Sequence, residues 1–283
     1  MDENQLQQAL KGFVIPPRPQ IVVDIQFELA SPTPSINAIA QLISQDAGLS
    51  GSVLKIVNSP FFGLASKVKS VSHAVNLLGI SLVVNLVTAI ALKSALSDES
   101  VMQLNRFWDS ESDVANVATV VSKYLKLRTP DEAYALGLFH NCGVPQMMMR
   151  FADYPELMAK AYQAKDRRVI DVENLHYKTD HAVIGYYTAR SWNISDVICE
   201  AILVHHCAEK AFDEQKNINT AKRDLLTILK ISEHLCGLHQ ILGECPVDYE
   251  WERIGEKVMA EANLEEDDLL NIRENCRDLG LLP

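Results

Sequence analysis

Helical periodicity broken by abrupt stops constrains this chain more than any other feature. Apolar residues recur at threes and fours along nearly its whole length, and strand-like alternation between turn signals is almost absent. Ile36, Ile39, Ala40, Leu42 and Ile43 form one such stripe ahead of Gln45–Asp46. Val53, Leu54, Ile56 and Val57 outline a second short helix, which Asn58-Ser59-Pro60 ends because proline disfavours helix in the residue before it. A third covers Val71 to Leu78 and stops at Gly79. Ser81 is placed to cap a longer, nearly all-apolar helix to about Leu96, which has to be buried on most sides. The chain reads as all-α and opens on a compact N-terminal helical subregion.

The polar stretch Asp98 to Ser112, carrying Phe107–Trp108, marks a change of subregion. We divide the chain into an N-terminal subregion (1–109), a second helical bundle (110–245) and a C-terminal helical extension packed on that bundle (246–283). Helices are expected over Asp113 to Leu125 and from Pro130, a residue favoured in a first helical turn, to His140. Gly143 and Val144–Pro145 predict a break just after His140–Asn141. Further helices are expected at Tyr154 to Gln163, Val172 to Tyr177, His181 to Ser191 and Ser195 to Ala208, then a polar loop from Glu209 to Thr220. Leu225 to Leu242 reads as one long apolar helix, followed by weaker ones near Trp251 to Ala260 and Glu266 to Leu279.

Charge and composition exclude several classes. A net charge of −11, from 37 acidic against 26 basic residues, disfavours non-specific attraction to nucleic acid or anionic lipid. No specific nucleic acid and no membrane insertion are expected: the most apolar stretch, Ile80 to Leu92, is interrupted by Ser81, Asn85 and Thr88 and falls short of the roughly 20 residues a bilayer requires. Nothing at the start resembles a signal peptide, and the six cysteines form no CxxC pair. Reduced, packed thiols and a cytoplasmic location are the expectation.

Polar residues in apolar runs carry the chemical interest. His140 and Asn141 end an apolar helical segment, His181 follows Asp180, His205 and His206 end the run Val197 to Val204, and Glu233 offers an acid from the next long helix. Each histidine alone reads as a satisfied buried polar residue. Together they could hold a metal, which wants neutral imidazoles and usually a carboxylate. Adjacent helical residues diverge by about 100°, so only one of His205 and His206 is expected to face a common centre.

Their arrangement and the segments around them resemble a known family. The pieces are Ile15-Pro-Pro-Arg-Pro19, Ile43-Ser-Gln-Asp46, Leu54-Lys-Ile-Val-Asn-Ser-Pro60 and Val71-Ser-His-Ala-Val-Asn-Leu-Leu-Gly79. Later come Phe107-Trp108, Ala115, Gly137-Leu-Phe-His-Asn141, His181 with Gly185 and Trp192, and Ile202-Leu-Val-His-His206. Over about residues 15 to 240 the chain resembles an HDOD protein, a regulatory relative of the HD and HD-GYP metal-dependent phosphohydrolases. The resemblance implies that the second bundle is a degenerate HD-type bundle. It implies a vestigial site at Ser110, His140, Asn141, His181, His205, His206 and Glu233, where catalytic relatives would carry a histidine near Ser110, an aspartate at Asn141 and a closing aspartate near Glu233. Serine is a poor ligand for such metals, and the Asn141 amide cannot offset a dication's charge.

No catalytic residue is therefore assigned. The first functional reading is a non-catalytic bacterial signal-transduction protein that acts through contacts with a regulatory or signalling protein. The alternatives are a residual metal-dependent phosphohydrolase or phosphodiesterase, and a nucleotide or cyclic-dinucleotide sensor without turnover. No cofactor is expected beyond a residual divalent metal, for which His181, His205, His206 and Glu233 are the ligands available. Phe61, Phe62, Met147 and Met148 are the candidate partner surface, and Trp108 and Trp192 read as core anchors.

Overall fold

The computed structural model describes residues 10–58, 62, 64, 66–96, 102–127, 130–213 and 220–283. Every regular element among them is helical. In chain order these are α1 (Gln20–Leu29), α2 (Ile36–Ser44), α3 (Ala47–Val57), α4 (Val71–Leu78), α5 (Ile80–Leu96), α6 (Met102–Tyr124), α7 (Pro130–Phe139), α8 (Val144–Arg150) and α9 (Tyr154–Tyr162). They continue as α10 (Val169–Tyr177), α11 (His181–Ser191), α12 (Asp196–Val204), a 3₁₀ turn (His205–Cys207), α13 (Ala208–Asp213), α14 (Thr220–Cys236), α15 (Leu238–Ile241), α16 (Tyr249–Ala262) and α17 (Glu266–Asp278). No helix among the described residues is long and apolar enough to cross a membrane.

Local chemistry sets many of the starts. Ser35, Asp46, Ser70, Asp180 and Asp248 each accept a hydrogen bond from the backbone N–H three residues on, satisfying a donor that the first turn leaves open. Asn58 holds the exit of α3 by donating to Leu54 O and Val68 O while accepting from Val68 N.

Two helices bear on the site. α6 starts at Met102, eleven residues before the expected Asp113, and carries Phe107 and Trp108 inward at 1% exposure each. The division drawn at 109–110 falls inside it. α6 lies against α7 so closely that a Cβ on Gly137 would meet Ala115 Cα at 2.6 Å. α14 ends at Cys236, not at Leu242 as the apolar run implied, because Gly237 turns into the left-handed region (φ 68°) before α15 begins. The polar stretch read as a loop from Glu209 is helical through Asp213.

One continuous apolar core joins the N-terminal helices to the later ones, from Val22 and Ile25 through Leu86, Phe107 and Phe139 to Ile228 and Ile272. Trp192, fully buried, ties the first segment to the second: its Nε1–H donates to Pro16 O at 2.9 Å, and Gln26 donates to its carbonyl at 2.7 Å. The cysteines are all free thiols.

Candidate functional site

α7, α11, α14 and the 3₁₀ turn converge on a buried pocket lined with histidines and carboxylates. His181, His205 and His206 each bring one ring nitrogen to within 4.8 Å of the others, and all three are buried. His205 and His206 both face this centre, contrary to the helical expectation for adjacent residues. The α-helix stops at Val204, and the tighter turn over His205–Cys207 brings their ring centroids to 4.2 Å.

The Nδ1 side of each ring is held by an acceptor. His181 Nδ1 lies 2.8 Å from Glu173 Oε2, His205 Nδ1 lies 2.7 Å from Ile202 O, and His206 Nδ1 lies 3.2 Å from Glu250 Oε1. Such partners fix ring orientation and leave the Nε2 atoms for coordination. His206 Nε2 has no hydrogen-bond partner, and His181 Nε2 faces His205 Nε2 at 3.4 Å. A carbonyl acts only as an acceptor, so His205 carries its proton on Nδ1 and presents a lone pair at Nε2. This donor set fits a divalent ion: three imidazoles, each held on its Nδ1 side, bring ring nitrogens within 4.8 Å of one another.

Electrostatics divide the rings. Burial pulls the His181 pKa down, but Glu173 more than offsets this and carries it above the usual value. Burial, reinforced by His206 and Lys230, pushes His205 far below its usual value. The two rings thus shift in opposite directions although their Nε2 atoms lie only 3.4 Å apart, across the gap that a metal would fill. Glu173, fully buried, also accepts from Tyr154 OH and from the His181 backbone N–H. Burial raises its pKa, and His181 and these donors bring it below the ordinary carboxylate value.

The other side of the pocket is occupied by the chain's own groups. Ser110 is buried, and its hydroxyl donates to Phe107 O at 2.7 Å within its own helix. Asp109 points outward, 4.0 Å from Lys93. Glu111 turns inward instead, with Oε2 3.2 Å from His140 Nδ1, and it accepts from Asn141 Nδ2 at 3.3 Å. Burial lifts the Glu111 pKa from 4.5 to about 7, with His140 and Asn141 limiting the rise. Glu233 does not join the three-histidine cluster; its Oε1 lies 3.2 Å from His140 Nε2. Its other oxygen is 2.8 Å from Lys230 Nζ, and Lys230 also pairs with Glu250 at 3.2 Å.

Glu111, Glu173, Lys230 and Glu250 were not anticipated from the sequence. The readable signal was Lys230-x-x-Glu233, two charges three apart inside the run Leu225 to Leu235. Glu250 left no such signal, since it comes from the C-terminal extension, 44 residues after His206.

The proposed partner surface needs correction. Met147 is fully buried in the core because α8 packs that face inward, and Met148 is half-buried against the same core; Met149, 63% exposed, is the methionine facing out. Phe62 is half-buried beside Leu77, Leu78 and Tyr134, and Phe61 lies outside the described residues.

A buried histidine cluster thus sits on an all-helical scaffold, with short helices packed across its flank. The chain belongs to the HDOD domain family, whose model matches residues 15–208. Among solved structures it is similar to an HDOD domain protein from Geobacter sulfurreducens (TM-score 0.69, 21% identity, 98% of each chain covered). It is also similar to a candidate phosphohydrolase from Shewanella amazonensis SB2B (TM-score 0.70, 20% identity, covering 98% of this chain and 96% of that one). These likenesses establish the fold. An uncharacterized protein of Treponema pallidum (strain Nichols) is 29% identical over 212 residues, 71% of this chain. The matched region spans 39% of that relative's length.

Proposed function

We propose that this HDOD protein is a regulatory signal-transduction component that works through contacts with another protein and turns over no substrate. One observation carries the reading: where hydrolytic chemistry would want a carboxylate and a histidine, Asn141 donates to Glu111 and Ser110 turns back onto Phe107 O. Neither side chain offers charge to a cation or acts on a bound water. The space beside Lys230, Glu233 and Glu250 is about 20 Å³, room for a water molecule. Purified protein supplied with Mn²⁺, Fe²⁺, Ni²⁺ or Zn²⁺ should hydrolyse neither cyclic dinucleotides nor nucleotides. Turnover that depends on the metal and disappears in His181→Ala would overturn the proposal. On the partner side, affinity capture from native extract followed by mass spectrometry should recover a regulatory protein that also binds the purified chain.

The three-histidine cluster favours a second reading, a residual metal-dependent phosphohydrolase. His181, His205 and His206 would hold the ion, which when bound would lower the pKa of a water. Absence of stoichiometric metal after reconstitution would remove this reading.

A further inference from the structure

Lys230 is an unusual residue for its position. It lies between Leu229 and Ile231 on α14, is 3% exposed, and directs its ammonium into the pocket instead of toward water. A buried lysine with no counter-charge would surrender its proton. Here Glu233 Oε2 lies 2.8 Å from Nζ and Glu250 Oε2 lies 3.2 Å away, on a second helix. Each carboxylate uses its other oxygen on a histidine: Glu233 on His140 Nε2 at 3.2 Å, Glu250 on His206 Nδ1 at 3.2 Å. The ammonium thus sits between two acids that each also touch a histidine of the pocket.

We infer that Lys230 is a resident cation. Its ammonium balances Glu233 and Glu250 where an ion would otherwise be needed, and so restricts metal binding to the His181–His205–His206 cluster. A second dication at Glu233 and His140 would have to displace the ammonium or stand beside it as a like charge. Lysine is suited to this role because it is a compact point charge on a flexible stem. It cannot serve as a Lewis acid or generate hydroxide, as a metal can. The pocket keeps a cation for its fold while that side loses the capacity for hydrolysis. The inference concerns charge balance and holds independently of what docks on the surface.

The test compares the full chain with Lys230→Gln. Each protein is stripped with chelator, incubated with Mn²⁺ and desalted, then its metal content and melting temperature are measured. The wild type should hold no more than one Mn²⁺ per chain. Lys230→Gln should take up one more ion than the wild type. It should also melt lower without Mn²⁺ and recover when the ion is added. Equal metal content in the two proteins would overturn the inference, as would a Lys230→Gln melting temperature that matches wild type with and without Mn²⁺. Should Lys230→Gln fail to fold, the triple variant Lys230→Met, Glu233→Gln, Glu250→Gln removes all three charges together. Folding with no more Mn²⁺ than the wild type is the expected result. A triple variant that gains an ion would overturn the inference, and so would one that does not fold, because Lys230 would then be needed for packing and not for charge.

Discussion

His181 Nε2 and His205 Nε2 face one another at 3.4 Å, with a carboxylate behind one ring and a backbone carbonyl behind the other. Two neutral imidazoles held in this way would oppose lone pair to lone pair. A proton on His181 or a metal between the rings relieves that opposition, so the pair is built to hold one cation in either form.

Glu173 should govern how well this pair binds an ion. It holds His181 from behind through Nδ1 and the backbone N–H. Loss of such a supporting carboxylate lowers metal affinity by about 10–100-fold. Titration of Glu173→Gln with Zn²⁺ by calorimetry should show a loss in that range with the fold intact by circular dichroism; unchanged affinity would mean that the carboxylate does not set the ring's position.

Glu111 makes stability depend on pH. Its carboxyl goes from 4.5 unfolded to about 7 folded, so the folded state binds more protons between those values. Stability contributed at this position therefore falls as pH rises from 4.5 to 7, and the penalty persists above. At 1.36 kcal/mol per pKa unit, replacing the acid by its neutral isostere should recover roughly 3 kcal/mol at pH 8 and almost nothing at pH 4. Urea unfolding of Glu111→Gln and wild type at both pH values checks this. An advantage that is equal at both, or larger in acid, would contradict the assignment.

Gly143 allows α8 to start against α11. A Cβ there would lie 2.7 Å from Gly185 N and closer still to the His181 carbonyl, all rigid backbone. Overpacking of this kind costs about 1–3 kcal/mol or more. Gly143→Ala should lower the unfolding free energy by at least that much. It should also weaken metal binding, because relief requires the start of α11, and His181 with it, to move.

Trp192 links the segment before α1 to the histidine-bearing bundle. Trp192→Phe removes the Nε1–H that donates to the half-buried Pro16 O and leaves a small void. The expected loss is about 1–3 kcal/mol from an unpaired acceptor and reduced packing. Limited proteolysis should then cut sooner near residues 10–20; an unchanged cleavage rate would show that the tryptophan does not anchor that segment.

The all-helical architecture could be read from apolar spacing, and the stops at Asn58, Gly79 and Gly143 from residues that disfavour helix. α1 was missed because QIVVDIQFEL carries apolar residues on several faces, and only Val22 and Ile25 become fully buried. The three histidines were legible as a set, but their shared centre was not: the turn geometry at His205 breaks the helical rule and is invisible in spacing. Glu111 and Asp109 illustrate the remaining difficulty. Both are acids on one helix two residues apart; one enters the pocket while the other's side chain remains 80% exposed, and only packing against α7 separates them. Likewise Glu250 resembles its neighbour Glu252 in sequence, whereas its role depends on where α16 docks.

That docking carries a practical consequence for dividing the molecule. The family match ends at residue 208, yet Lys230, Glu233 and Glu250 all lie beyond it. A fragment cut at the family boundary would retain the three histidines but lose the acid behind His206 and the entire Lys230 ion-pair cluster. Measurements on such a fragment would describe a pocket of different charge. For this chain, the smallest portion that carries the intact electrostatic unit extends at least through α16.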